Sequence, residues 1–405
     1  MCSMVQESVP RSRHTEGTMK RGTLAAVLIP LLVSGACSRK LVVGVVLPET
    51  GEMAVYGAAV KSGVKLAFDE AIAAKTAPAG LTVEYRDSGS DPARAASALE
   101  ALYAAGAPVV IGGATTAEAT VMIPIAERRE RVLISPSASA PDLARLSVYF
   151  FRTFPSDDLE GVKAADLMTL TKGVRTVAIL QEDNPYTRGL LPVFMGQFKS
   201  SGGTVVGSVE IGAPGWERQT ADVLASHQPK GVYVCGYGEA IVAALKALRA
   251  AAYQGVVCTT SAISSASVLK EAGNLAEGVF FPLASFDPSS QQEPIRRFVT
   301  RYHETYKLVP DIYAAHGYDA ALAVLNALKA ARTPTGREVQ LRLKGLAEVR
   351  GVTGPLAFDD FGNIKHYLRN YWIHNGKVED YDTFVKQEQE RIKEKMWELL
   401  QGQGS

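Results

Sequence analysis

Hydroxyl side chains gather where two apolar runs of this chain stop. RVLISPSASAPDL, residues 131–143, passes from Val132, Leu133 and Ile134 into Ser135, Ser137 and Ser139, with prolines around them. Earlier, GGATTAE (112–118) follows another apolar run and offers Thr115 and Thr116. Serine and proline punctuate turns, and a threonine at a helix start suits a plain N-cap, so neither stretch alone calls for a ligand. Two uncharged, hydroxyl-bearing loops at adjacent strand ends favour one. With their unpaired backbone amides they can hold a carboxylate by neutral donors alone, helped by a helix dipole.

Aromatic residues recur at other strand ends. Tyr186 follows QEDNP, Tyr237 follows VYVCG, Phe280 and Phe281 precede Pro282, and Tyr56 lies in the loop after the first strand. Each taken singly suits core packing; several together at strand ends form an apolar wall for a small molecule. Catalytic constellations are missing from the sequence. There is no Gly-x-Ser-x-Gly, no His-Glu-x-x-His and no phosphate loop. GYGEAI (236–241) imitates part of a dinucleotide fingerprint, but Ile241 stands where the third glycine belongs. The six histidines are scattered, and the cysteine spacing is not of a metal-binding kind. The expectation is a binding protein that is not an enzyme and uses no cofactor or metal.

The elements that must position these residues alternate. Apolar runs at 41–48, 81–88, 108–113 and 131–136 are predicted strands, with helical patterns at 57–75, 92–105 and 116–128 between them. The pattern restarts with strands at 176–183, 204–211, 231–237, 255–261 and 278–284, separated by helices near 187–200, 218–226, 240–252 and 265–272. Short buried strands spaced by helices mean α/β architecture with parallel sheets, here two Rossmann-like lobes. In such sheets ligands sit beyond the carboxyl ends of the strands, which is where the hydroxyls and aromatics fall. Helices at 291–306, 313–331 and 337–346 come next. A hairpin-like segment over 354–380 is turned at Asp360-Phe361-Gly362-Asn363 and at Asn375-Gly376. A last amphipathic helix carries Val385, Ile392, Met396, Leu399 and Leu400 on one stripe and is expected to pack on the body.

Bulk composition is ordinary: 405 residues, 47% hydrophobic, 21% charged, net charge +1. That near-neutral balance, with no basic stripe, argues against a nucleic-acid partner. MKRGTLAAVLIPLLVSGAC (19–37) has a basic start, a short apolar run and small residues before Cys37, and reads as a signal peptide behind an upstream extension. Ser34-Gly35-Ala36 suits ordinary cleavage. The segment ending in Cys37 also resembles a bacterial lipobox, departing from it at Ser34, and lipidation of Cys37 is the favoured expectation. Export would leave Cys235 and Cys258 in the folded body, as a bridge or as two small buried hydrophobes.

VVGVVLPETGEMAVYGAAVKSGVKLAFDEA, DSGSDPARAASALEAL, IGGATTAE, ISPSASAP, YFFRTFPSDDLEG, DNPYTRGL and LAEGVFF follow one another in order. This series resembles the periplasmic leucine/isoleucine/valine-binding proteins, type I solute-binding proteins of ABC importers, from about Leu41 to Tyr381. The resemblance implies two lobes joined by a multi-strand hinge, the periplasmic binding protein type I fold. Lobe 1 would span 40–153 plus 285–354, and lobe 2 would span 154–284 plus 355–381, leaving 1–36 as extension and signal peptide and 382–405 as the terminal helix. It implies a small solute in the cleft, an amino acid or a related carboxylate or amide, delivered to a membrane permease. A ligand-sensing module of the same fold is the alternative. By position, Thr116 and neighbouring Thr115 would meet the ligand carboxylate. The backbone carbonyl of Ser137 would meet an α-ammonium, and Ser139, after Ala138, would add its hydroxyl and amide. Tyr56, Tyr186 and Tyr237 would be aromatic contacts. One position departs: where the family's amino-acid binders place an acid against the α-ammonium, this chain has Ser261. Either another acid such as Glu182, Asp183 or Glu239 replaces it, or the ligand has no amine.

Overall fold

A computed structural model describes residues 40–346 and 348–402. The signal-peptide segment and Cys37 lie outside the described residues.

Two sheets organise the chain. The first contains β1 (Leu41–Leu47), β2 (Leu81–Asp87), β3 (Val109–Gly112), β4 (Val132–Ser135) and β5 (Phe150–Arg152), all parallel, in the order β2-β1-β3-β4-β5. The second contains β6 (Thr176–Gln181), β7 (Thr204–Glu210), β8 (Gly231–Cys235), β9 (Val256–Thr259), β10 (Phe280–Ala284), β11 (Leu368–His374) and β12 (Lys377–Asp380), in the order β12-β11-β10-β9-β8-β6-β7. Only β11 and β12 run antiparallel to their neighbours. β3, β4 and β8 are buried at every residue, as strands covered by helices on both faces must be.

Helices α1 (Ala54–Ala73), α2 (Pro92–Ala104) and α3 (Thr116–Arg129) connect the first sheet. α4 (Asp157–Asp166), α5 (Pro185–Ser200), α6 (Trp216–His227), α7 (Gly238–Ala250) and α8 (Ala266–Ala272) serve the second. The chain then returns with α9 (Glu293–Tyr306), α10 (Ile312–Ala330) and α11 (Gly336–Lys344), and ends in α12 (Tyr381–Gly402). α10 is apolar almost all round and buried along most of its length, because it is sandwiched against α1 and α11. Its approach to α1 requires glycine: a Cβ on Gly63 would sit 1.9 Å from the Ala314 carbonyl oxygen, and one on Gly317 2.4 Å from that of Val60.

Three expectations change. Asp360–Asn363 turns the chain, but the flanking residues form a single antiparallel bridge, Phe358 to Ile364, instead of a hairpin. This segment is claimed by the crossover at the end of β5. Arg152 N–H donates to the Gly362 carbonyl (2.9 Å), Ile364 N–H donates to the Arg152 carbonyl (3.1 Å), and Arg152 Nε donates to Asn363 Oδ1 (2.7 Å). The second turn, Asn375-Gly376, does close a hairpin.

α12 does not lay its apolar stripe on the body: Ile392 and Met396 are 53% and 58% exposed. Only its first turn is anchored, with Tyr381 and Phe384 packed around Trp372. At about 1.5 Å per residue the helix outruns the four-residue edge strand that supports it. α4 carries no apolar periodicity to announce it. Its signal is a cap, Ser156, whose Oγ accepts from Asp158 N–H, followed by acids in the first turn. Cys235 and Cys258 are free and buried.

Candidate functional site

The carboxyl ends of both sheets face one cleft. Among its lining residues are Tyr56, Thr115, Ser137, Ser139, Tyr186, Tyr237 and Ser261, seven of the positions singled out from sequence. Thr116 and Ala138 stand behind that surface, 3% and 1% exposed.

On the first lobe, most hydroxyls are spent holding the loops. Ser135 Oγ donates to the Gly113 carbonyl (2.7 Å) and accepts from Ala138 N–H (2.9 Å), tying the β4 loop to the β3 loop. Ser137 Oγ donates to the Ala114 carbonyl (2.6 Å). Thr115 is the N-cap of α3, accepting from Glu118 N–H (3.2 Å). Glu118 is itself buried, its carboxyl raised by burial, and it accepts from Ser88 Oγ (2.5 Å) and Ala114 N–H (3.1 Å). Two hydroxyls escape this lattice. Thr116 Oγ1 is buried without a partner at the helix N-terminus. Ser139 Oγ approaches the Asp157 carboxyl without closing a bond of normal geometry. Neither lobe brings a charged side chain to the lining itself.

The second lobe supplies rings and acids. Asn184 starts α5 with a capping box that sets Tyr186 on the cleft side, where it stacks on Tyr237 with centroids 5.0 Å apart. Tyr237 N–H donates to Glu182 Oε2 (2.8 Å), and its hydroxyl reaches the Thr116 amide of the opposite lobe. Tyr56 also spans the cleft: its hydroxyl accepts from Gly238 N–H (2.8 Å) and donates to the Ala262 carbonyl (3.2 Å). Tyr313, edge-on to Tyr56 at 4.9 Å, and Phe154, stacked on Tyr313 at 5.8 Å, complete an aromatic enclosure. Burial raises the phenols of Tyr56, Tyr186 and Tyr237, so all three stay protonated. Neither Phe154 nor Tyr313 was singled out from sequence, because no strand-end or loop signal marks them as cleft residues.

Ser261 does not stand alone. Its N–H donates to Glu160 Oε1 and its Oγ to Glu160 Oε2, both at 2.7 Å. One turn earlier on α4, Asp157 is fully buried, with both carboxylate oxygens unpartnered. Burial raises both acids, and the charge of Glu160 raises Asp157 further, while hydrogen bonds from Ser261 and Tyr186 offset part of the rise at Glu160. The cation beside Asp157 is Arg152, wholly buried, with Nη1 donating to the Ala140 carbonyl (2.9 Å) and its own pKa pulled down to about 10 by burial. The acids weighed from sequence lie elsewhere. Asp183 is exposed and paired with Arg188 (2.7 Å), while Glu182 and Glu239 line an outer depression beyond Tyr56 and Tyr237. Among the described residues no group of three or more His, Cys, Asp or Glu could hold a metal.

The sequence profile of a family described as periplasmic binding protein matches residues 40–377, most of the chain. The chain belongs to that family. A Leu/Ile/Val-binding protein homolog 2 from Brucella abortus is 26% identical over 380 residues, covering 91% of this chain and all of the relative. Among solved structures, a leucine-binding protein from Thermotoga maritima superposes with a TM-score of 0.78 at 22% identity, covering 84% of this chain and 97% of the other. A Rhodopseudomonas palustris solute-binding protein in complex with benzoate gives 0.75 at 21% identity, covering 84% and 95%. As a periplasmic binding protein, the chain has the family's extracytoplasmic, solute-binding role, and its two sheets with a shared cleft are that family's type I fold.

Proposed function

We propose that this periplasmic binding protein captures an amino acid, or a related small carboxylate or amide, between its lobes and delivers it to the permease of an ABC importer. The observation that carries the reading is the cleft itself, with neutral hydroxyl loops on one wall, rings and Ser261 on the other, and Glu160 buried behind Ser261. Thr116 and Ser139, backed by the N-terminus of α3, take the carboxylate, with Thr115 and Ala138 shaping the loops and the Ser137 main chain beside them. Tyr56, Tyr186 and Tyr237 enclose the ligand's body, and Ser261 faces its other end. Lobe 1 comprises 40–153 and 285–354, and lobe 2 comprises 154–284 and 355–381. Closure follows from contacts that only the closed state makes to both lobes. A lipid on Cys37 holds the mature protein at the membrane surface.

The test is a thermal and scattering screen of the mature protein against amino acids, carboxylates and amides. A cognate solute at about 100 times its Kd stabilises the fold by about 2.7 kcal/mol and contracts the particle. A panel in which no member does either removes the reading. Mass spectrometry of the purified mature protein reads the lipid on Cys37 directly.

A further inference from the structure

We propose that Ser261 and Glu160 together form the anchor for a cationic amine, the serine oxygen touching it and the glutamate charge standing behind, so that the solute is an amino acid. This rests on the cleft reading above and narrows its ligand class.

The geometry is specific. Ser261 lines the cleft, and both of its donors, N–H and Oγ–H, are committed to Glu160. A serine whose proton is given away can serve an incoming group only as an acceptor, and an ammonium is pure donor. Glu160 is 3% exposed, so its charge is held away from water and felt through the serine. The local charge count points the same way. Of the two buried carboxyls on α4, Asp157 has the buried guanidinium of Arg152 in its surroundings, shared with Asp158 and Asp359, whereas Glu160 has only Ser261 and the Tyr186 hydroxyl and no cation. One negative charge is therefore unmatched, and both Asp157 oxygens lack a donor. The pair must hold a proton when the cleft is empty, and a ligand ammonium would supply the missing positive charge. A carboxylate without an amine would instead add a third anion. The position that loses its acid at 261 thus keeps its charge by drawing it from α4.

The experiment compares each common L-amino acid with the carboxylate that lacks only its amine, by calorimetry on the mature protein, in two buffers of different ionisation enthalpy. The amine-bearing member of at least one pair binds about 30-fold or more tighter than its partner and releases protons on binding. In Glu160→Gln, whose folding is checked by circular dichroism, that amino acid loses about 10-fold or more and the proton release shrinks. The deaminated partner is unchanged or gains. Equal affinity within every pair, a loss in Glu160→Gln that is the same for both members, or no proton release with the amine overturns the anchor while leaving the cleft reading in place. If no member of any pair binds, both readings fall. Should Glu160→Gln not fold, the wild-type pair preference and its proton release decide alone.

Discussion

The two walls of the cleft are built on opposite electrostatic principles. The first lobe arrives at the ligand with β3 and β4 ends, a helix N-terminus and neutral hydroxyls, and its nearby acid Glu118 is tied into the loops. The second lobe arrives with stacked tyrosines and, behind Ser261, two buried carboxyls, of which Asp157 is met by Arg152 from β5 of the first sheet and Glu160 by no cation. A wall of backbone dipoles and hydroxyls suits an anionic end because it gains a ligand's charge without burying one of its own. A wall with an unmatched buried carboxylate suits a cationic end. The difference teaches that the polarity of the guest is written as an asymmetry between lobes, not in either lobe alone.

The largest effect should come from removing the buried cation that the first lobe places beside Asp157. Arg152→Met leaves the buried Asp157 unopposed and strips donors from Asn363 and Ala140; we expect a loss of about 3–5 kcal/mol in urea denaturation. A loss below 1 kcal/mol would mean that Asp157 is not electrostatically linked to this arginine. On the first wall, Thr116→Val removes a buried hydroxyl that has no hydrogen-bond partner within the protein, so stability should hold. Binding of a carboxylate should weaken by about 1.5–3 kcal/mol, by the same factor with or without an amine on the ligand. A selective loss of amine-bearing ligands there would collapse the contrast between the walls.

Between the walls, Tyr56→Phe deletes two cross-lobe hydrogen bonds, each worth about 0.5–1.5 kcal/mol net. Scattering of the unliganded protein should shift toward a more open particle, with the walls' chemistry intact. The smallest effect is in pH. Burial raises Asp157, Glu160 and, at about 6, Asp319, so the folded state holds more protons than the unfolded chain from the ordinary carboxylate range up to these raised values. Stability of the empty protein should therefore fall as pH rises through about 4 to 7. Asp87 works oppositely, but its pKa, lowered to about 2 by the Thr50 hydroxyl and backbone donors, confines that effect to pH below about 4. A saturating amino acid should shrink the neutral-pH deficit, because its ammonium meets the charges that cause it; thermal melts at pH 5 and 7.5 read both.

Much of this was legible in the chain. Apolar runs of strand length and helical spacing located nine strands and most helices because both signals are local and periodic, while the three-residue β5 was too short to stand out. The hydroxyls of 115–139 and the tyrosines could be assigned to strand ends because parallel sheets place their functional edge there by rule. α4 was missed because its first turn is acidic and its buried face is made of small residues and carboxyls, so no hydrophobic period announces it. The terminal helix misled in the other direction. Its stripe is periodic, yet periodicity states only that a face could be buried, and the edge strand beneath it is too short to bury it.

The sequence by itself determined two β/α lobes, a cleft at their strand ends and a set of candidate hydroxyls, since propensity and period are properties of neighbouring residues. Tertiary structure alone decided which hydroxyls remain unspent, since Ser135, Ser137 and Thr115 are consumed by loops and Thr116 is not. It also decided where the charge opposite the carboxylate stands. Ser261 and Glu160 are 101 residues apart, and a hydrogen bond across that separation exists only once β9 and α4 have packed into one lobe.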